Sequence, residues 1–270
     1  MITKNQIDDL ASYFQIDNFT VMREYLQILF LSYLYKEKEA DRIYFKGGTA
    51  VRLLFGSTRF SEDLDFSTLL AKAEIKELII KLERAIRLEL REASISLLYL
   101  GKNGCRFRLK YKPEEFKYPL VIRLDFNIVK KVEEVSVSPL VSKFPVIFFP
   151  LINHLSENEI LAEKLCALFT RAKGRDFFDV WFLLQRKIGI DEKLLRKKLK
   201  ERGAIFNREK ILKRIELYSE GRLERDLKQF LPRSQRKIIS LLKRELVKSL
   251  STPARSGSVG KFSPNPSDII

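Results

Sequence analysis

The sequence predicts an α+β protein: a mixed sheet with flanking helices, followed by an all-helical C-terminal half. Three observations predict it. Strand-type alternation, clearest in CRFRLKYK at 105–112, is confined to residues 1–150. From residue 157 to about 250, apolar side chains recur almost throughout at helical spacing. Between the two lies a less regular stretch marked by Pro139, Pro145 and Pro150. A first domain over 1–150 and a helical domain over 151–250 follow. No flexible linker separates them, so the halves are expected to pack together.

Residues 4–15 and 19–38 are predicted helices. In the second, Met22, Tyr25, Leu26, Leu29 and Tyr33 repeat at helical spacing. The aromatic-rich RIYFK at 42–46 is a predicted strand. Gly47 and Gly48 turn the chain into a helix at 49–55, with Val51, Leu54 and Phe55 as its core face and Gly56-Ser57 as its stop. Residues 63–67 form the next strand, and 71–92 a long amphipathic helix. Three strands follow within 94–129: ISLLYL, CRFRLKYK, and PLVIRLDFNIV, whose apolar character suits a buried position. Residues 130–155 are assigned short edge strands. Helices are expected at 157–172, 175–188, 191–201, 207–219 and 234–249. The Ser-, Pro- and Gly-rich tail at 251–270 is expected to be disordered.

Composition narrows the function. With 51 basic against 35 acidic residues the net charge is +16, which draws polyanions such as nucleic acid or nucleoside triphosphates. No run of apolar residues is long enough to span a membrane, and the start MITKNQIDDL lacks a signal-type apolar region. A cytoplasmic protein is expected. Nothing reads as a coiled-coil seam, so a monomer is expected as well. Cys105 and Cys166 are isolated, which suits two buried reduced thiols. The single histidine, His154, excludes His-rich metal sites and Ser-His-Asp triads. Any metal is then held by oxygen, which points to Mg2+ or Mn2+.

Residues 44–67, YFKGGTAVRLLFGSTRFSEDLDFS, concentrate the chemistry. Asp63 and Asp65 at i and i+2 of a strand project to one face. Two such carboxylates about 4 Å apart repel by roughly 4 kcal/mol at an effective dielectric near 20, and a divalent cation between them turns that cost into binding. Metal-assisted phosphoryl chemistry uses such a pair. Asp125, within VIRLDFN on a predicted central strand, is the candidate third ligand; a structural ion pair is its other reading. Gly47 and Gly48 allow close approach to phosphate, and the following helix N-terminus supplies free N–H groups. Thr49 suits a helix cap whose hydroxyl touches phosphate. Arg52 and Arg59 suit phosphate or a surface ion pair. In EKLCALFTRAKGRDFFDVWFLL, two helices reverse at Lys173-Gly174, with Lys164 on the first and Asp176 and Asp179 on the second, and the hairpin brings Lys164 and Asp179 near each other.

FKGGTA, RFSEDLDFS and EKLCALFTRAKGRDFFDVW, in that order over residues 40–185, resemble the AbiEii-type nucleotidyltransferase toxins. That family lies within the DNA polymerase β-like nucleotidyltransferase superfamily and occurs in abortive-infection and toxin–antitoxin systems. The resemblance implies metal-dependent transfer of a nucleoside monophosphate from an NTP to RNA, with the tRNA 3′ end as the expected acceptor and a cognate antitoxin as a partner. It implies metal binding by Asp63 and Asp65, with Asp125 matching the superfamily's third acid by strand position. Lys164 and Asp179 complete the catalytic set. Lys46, Gly47, Gly48, Thr49, Arg52 and Ser61 fall in the nucleotide site, and Ser61 matches a serine phosphorylated in some relatives. The gap from Gly48 to Asp63 is longer than usual in the superfamily, which leaves open whether Ser57 and Arg59 substitute for loop contacts. A protein hydroxyl or small-molecule acceptor, and a non-catalytic nucleic-acid-binding module, are the competing readings.

Overall fold

The computed structural model describes residues 2–114 and 116–251. Beyond Ser251, the tail expected to be disordered lies outside the described residues. Helix α1 (Lys4–Phe14) opens with a capping box between Thr3 and Gln6. Helix α2 (Asn18–Leu34) is capped by Asp17 and is buried along most of its length. It ends four residues before the expected 38, because Lys38–Arg42 wind into a 3-10 helix that feeds β1 (Ile43–Lys46). Helix α3 (Gly47–Phe55) starts at Gly47, two residues earlier than expected, and stops at left-handed Gly56.

The chain then runs through β2 (Leu64–Thr68), α4 (Lys72–Glu89), β3 (Ser94–Gly101), β4 (Gly104–Tyr111), β5 (Leu120–Ile128), β6 (Val135–Pro139) and β7 (Leu151–Leu155). These strands form one sheet in the order β3-β4-β5-β2-β1-β7-β6. Strand β2 pairs antiparallel with β1 and parallel with β5, so the sheet is mixed, and β7 runs parallel to β1. Strand β7 lies past the junction expected near residue 150.

Register decides what each face carries. Phe45, Phe66 and Phe126 are direct neighbours across β1, β2 and β5, with ring centroids 5.5 and 4.8 Å apart, and Phe30 of α2 packs on Phe66. One residue along each strand the side chains turn to the other face. There Lys46 faces Asp65, Asp65 faces Asp125, and Asp125 faces Arg106 of β4. A row of four charges therefore crosses the sheet behind its aromatic row.

Helices α5 (Glu157–Thr170), α6 (Gly174–Gln185), α7 (Glu192–Glu201), α8 (Arg208–Leu217), α9 (Glu220–Leu227) and α10 (Ile238–Ser251) complete the fold. Helix α9 was not expected from sequence. It has eight residues, five of them charged, and only Leu223 and Leu227 are buried. One apolar core runs without a break from the sheet and α2 into α5, α6, α8 and α10, so the two halves pack together. Gly174 begins α6 with its N–H donating to Asp226 Oδ2 at 2.8 Å, which ties the α5–α6 hairpin to α9.

Candidate active site

A cavity of about 290 Å³ opens over the charged face of the sheet. Asp63, Asp65 and Asp125 line it from the sheet, Gly48 from α3, Ser61 from the α3–β2 connection, and Lys164 and Asp176 from the α5–α6 hairpin. Arg59, Arg106, Arg123, Asn127, Arg171, Lys173 and Arg175 complete its wall. Seven cations thus surround four acids, a balance suited to a polyphosphate accompanied by a cation.

The diglycine has a steric purpose at both residues. Gly47 is left-handed at φ +81°, and a Cβ there meets Oδ2 of Asp65 at 2.3 Å. A Cβ on Gly48 meets Arg59 Nη2 at 2.4 Å and Ser61 Oγ at 3.0 Å. The glycines make room for Asp65 and for the Arg59 guanidinium as well as for anything that approaches the helix N-terminus. Thr49 does not cap α3. Lys46 occupies the N-cap position, and the Thr49 hydroxyl donates to the Asp63 carbonyl, tying that backbone to the helix.

Asp65 sits at the centre of the row. Burial, then the neighbouring Asp63, pushes its carboxyl up to about 6, against the pull of Lys46 and Lys164. Asp63 lies one residue before β2, outside the hydrogen-bonded strand expected for it, and Arg123 grips both its oxygens. Asp125 accepts from Arg106 Nε. The three carboxylates share a face and a cavity but do not converge on one point. Among the described residues, no three acidic, histidine or cysteine groups are close enough to hold a metal ion as placed. The expected three-carboxylate cage is therefore not assembled, and two of its members are each held by an arginine. Oxygen-only chemistry, a common face and the unusually raised Asp65 nevertheless suit a hard divalent cation.

Asp179 lies behind the wall of the cavity. Arg59 donates to its two oxygens at 2.8 and 2.9 Å, and Lys164 Nζ lies 2.6 Å away. Both Arg59 and Asp179 are almost fully buried. Burial alone raises the Asp179 carboxyl, but Arg59 and Lys164 more than offset it and hold it below the usual range. Burial likewise disfavours charge on Lys164, yet Asp179 and Asp176 raise it on balance. The hairpin thus brings Lys164 and Asp179 together as expected, with Asp179 as the anchor and Lys164 as the group that reaches the cavity. Asp176 also accepts from Arg171 at 3.1 and 3.2 Å.

Two expected nucleotide contacts lie elsewhere. Arg52 points away from the cavity, paired with Glu24 at 2.8 Å and stacked 3.9 Å from the Phe60 ring centroid. It lies one turn further along α3 than Gly48, away from the helix N-terminus, where Glu24 of α2 takes its guanidinium. Lys46 pairs with Glu163 at 3.2 Å and acts on the site through Asp65. Glu163 is itself raised by burial, but Lys46, Lys198 and Arg202 bring it down to about 2. His154 is buried, hydrogen-bonded to the Leu155 carbonyl and Ser138 Oγ, and takes no part.

Arg123 and Arg106 were not expected in the site, although a signal existed. Arg123 precedes Asp125 by two residues, so strand alternation alone puts both on one face. Arg171, Lys173 and Arg175 cluster in the turn between the predicted hairpin helices, and their convergence depends on the hairpin's position over the sheet.

Comparison with known proteins fits this geometry. The chain is 29% identical over 193 residues to the uncharacterized protein aq_aa25 of Aquifex aeolicus (strain VF5), covering 67% of this chain and 76% of that one. Its fold matches MenT4, the nucleotidyltransferase toxin Rv2826c from Mycobacterium tuberculosis H37Rv, with a TM-score of 0.56 at 18% identity over 93% of this chain and 89% of that one. It also matches JHP933 from Helicobacter pylori, with a TM-score of 0.51 at 20% identity over 87% and 94% of the two chains. The model of the family described as "Nucleotidyl transferase AbiEii toxin, Type IV TA system" matches residues 29–248. This span takes in the sheet, the cavity and most of the helical half, and the chain belongs to the AbiEii nucleotidyltransferase toxins of type IV toxin–antitoxin systems.

Proposed function

We propose that this nucleotidyltransferase moves a nucleoside monophosphate from an NTP to RNA, with the tRNA 3′ end as acceptor, in a reaction that depends on Mg2+ or Mn2+. The observation that carries it is the row of in-register carboxylates inside a cavity whose other walls are cationic. Asp63 and Asp65, with Asp125 as third candidate, would hold the metal, which supplies charge neutralisation at the reacting phosphate. Gly48 and the α3 N-terminus approach the triphosphate, and Lys164 and Arg171 neutralise it. The acceptor hydroxyl attacks the α-phosphorus and loses its proton, a phosphodiester forms, and the bond to pyrophosphate breaks.

Support for RNA comes from the surface next to the cavity. Strand β4 turns Arg106, Arg108 and Lys110 to solvent, beside Arg123 of β5. Arg171 and Lys173 are exposed at the hairpin rim. This basic track extends from the cavity along the open sheet, so a phosphate backbone can follow it into the site.

The test is incubation with total tRNA, Mg2+ and each α-labelled NTP in turn. The expected result is label in RNA, with one preferred base, abolished by a chelator. Label in protein bands instead of RNA would replace the RNA acceptor by a protein hydroxyl.

A further inference from the structure

Among the arginine–carboxylate pairs at the cavity, which include Arg171–Asp176, three differ in a way that separates fixed parts from exchangeable ones. Arg59–Asp179 is buried to 2% and 1% side-chain exposure. Arg59 also donates to the Phe60 carbonyl and rests against Gly48, so it has no freedom to leave. Arg123–Asp63 is at the rim, with 47% of the arginine and 20% of the aspartate side chain exposed. Arg106–Asp125 is similar, at 44% and 18%. Exposed pairs of this kind are held weakly, since water competes for both partners.

Arg123 uses Nε and Nη2 to cover both oxygens of Asp63. A divalent cation addresses the same lone pairs, so cation and guanidinium compete for them. Removal of the guanidinium from Asp63 leaves it within the same cavity as Lys164, Arg171 and Arg175, where a polyphosphate is its natural partner. We propose, on the metal and NTP reading of the cavity given above, that Arg123 is an exchangeable counter-cation: it neutralises Asp63 until a divalent ion takes that carboxylate, and then becomes a ligand of the incoming triphosphate. Metal and nucleotide are thereby coupled. Metal alone has to displace Arg123 with no compensation, whereas metal arriving with an NTP gives Arg123 a new partner. By linkage, the nucleotide tightens the metal by the same factor as the metal tightens the nucleotide.

The coupling is measured by titrating the protein with Mn2+, read by electron paramagnetic resonance of the free ion, with and without an NTP analogue that has a methylene between its α- and β-phosphorus atoms. R123Q is expected to bind Mn2+ alone about fivefold or more tighter than wild type, the low end of ordinary coupling between sites. With the analogue, R123Q is expected to bind about tenfold weaker, the loss of one charged hydrogen bond to phosphate. Arg108 serves as the control, because it lies on the same face and forms no ion pair among the described residues. R108Q is expected to leave Mn2+ affinity within about twofold, the effect of a surface charge.

Unchanged or weaker Mn2+ binding by R123Q overturns the exchange, as does an equal gain in R108Q, which would assign the effect to the general field. Should R123Q not fold, R123M carries the same test, because it also removes the charge and keeps an unbranched stem; absence of tighter Mn2+ binding in it overturns the exchange too. A separate outcome, in which neither wild type nor any arginine variant binds Mn2+ with the analogue, removes the metal reading of the cavity and the exchange with it. D63N that binds Mn2+ as wild type does, while R123Q binds tighter, removes Asp63 as the contested ligand and so overturns the exchange alone.

Discussion

At the scale of single residues, Asp65 carries a conflict between stability and chemistry. Its ordinary carboxyl value of 3.8 rises to about 6 in the fold. Between those values the native state holds a proton that the unfolded chain has released, and above about 6 the native state keeps a charge that burial and Asp63 disfavour. This group's contribution to stability therefore falls as pH rises from 3.8 through 6. D65N removes the fall. We expect D65N to be more stable than wild type by about 1–3 kcal/mol at pH 8 and nearly equal to it near pH 4, while losing transfer activity. Urea unfolding at the two pH values measures the difference, and a stability gain independent of pH would contradict the assignment.

Gly47 makes a second residue-scale prediction. G47A forces a Cβ into Asp65 and places an alanine at φ +81°. We expect a loss of about 1–3 kcal/mol from backbone strain, with activity falling further than stability because Asp65 is displaced. Wild-type activity in G47A would show that Asp65 is not where the chemistry occurs.

At the scale of elements, the α5–α6 hairpin and the sheet are joined by ion pairs of two kinds. D179A leaves Arg59 buried without its carboxylate and Lys164 with Asp176 alone, and removing one member of such a pair costs about 3–5 kcal/mol. Loss of activity in D179A is thus expected to accompany unfolding, measurable as a large drop in Tm, and does not by itself identify a catalytic group. D63A breaks a rim pair with an exposed arginine and is expected to cost less than about 1 kcal/mol. Glu163 joins α5 to β1 through Lys46 and to α7 through Lys198. With its carboxyl at about 2 in the fold against an ordinary 4.5, its contribution is present above 4.5 and is lost as pH falls toward 2. E163Q is expected to be less stable than wild type at pH 7 and to show a flatter acid limb in a pH series of thermal melts.

The elements also show how far the site was legible. Asp63 and Asp65 stand out because a two-residue spacing on a strand is local information, and the Lys164–Asp179 approach follows from a short hairpin. Arg59 stood out as a phosphate ligand or surface ion pair, but its burial against Asp179 did not, since that depends on α6 packing against α3, more than a hundred residues away. The grip of Arg106 and Arg123 on the acids depends on the register of β4, β5 and β2, which alternation within each strand does not specify. Helix α9 was hidden by its length and charge, for two apolar residues make a weak periodic signal. Arg52 was misplaced because it shares a side of α3 with Gly48 but sits a turn further along, and only the packing of α2 shows that Glu24 takes its guanidinium.

At the scale of the whole molecule, the charge of +16 is distributed unevenly in effect. Many basic residues of the helical half are spent in ion pairs, such as Lys198 with Glu159 and Arg208 with Glu192. The cations on the open sheet and the hairpin rim lie beside the cavity instead. RNA binding that uses them is expected to weaken by about two orders of magnitude between roughly 50 and 200 mM salt, read as the slope of a binding isotherm series. R108Q is expected to reduce that slope without changing the preferred base.

The central claim is that the carboxylates on one face of the sheet drive nucleotidyl transfer. D63A tests it most directly, because this variant breaks only a rim pair, is expected to keep the fold and leaves the buried Arg59–Asp179–Lys164 cluster untouched. Label transfer from the preferred NTP, measured beside wild type on protein with a matched thermal melt, is expected to fall by at least about a hundredfold, as for removal of a group acting on the transition state. Transfer at the wild-type rate by folded D63A would contradict the account.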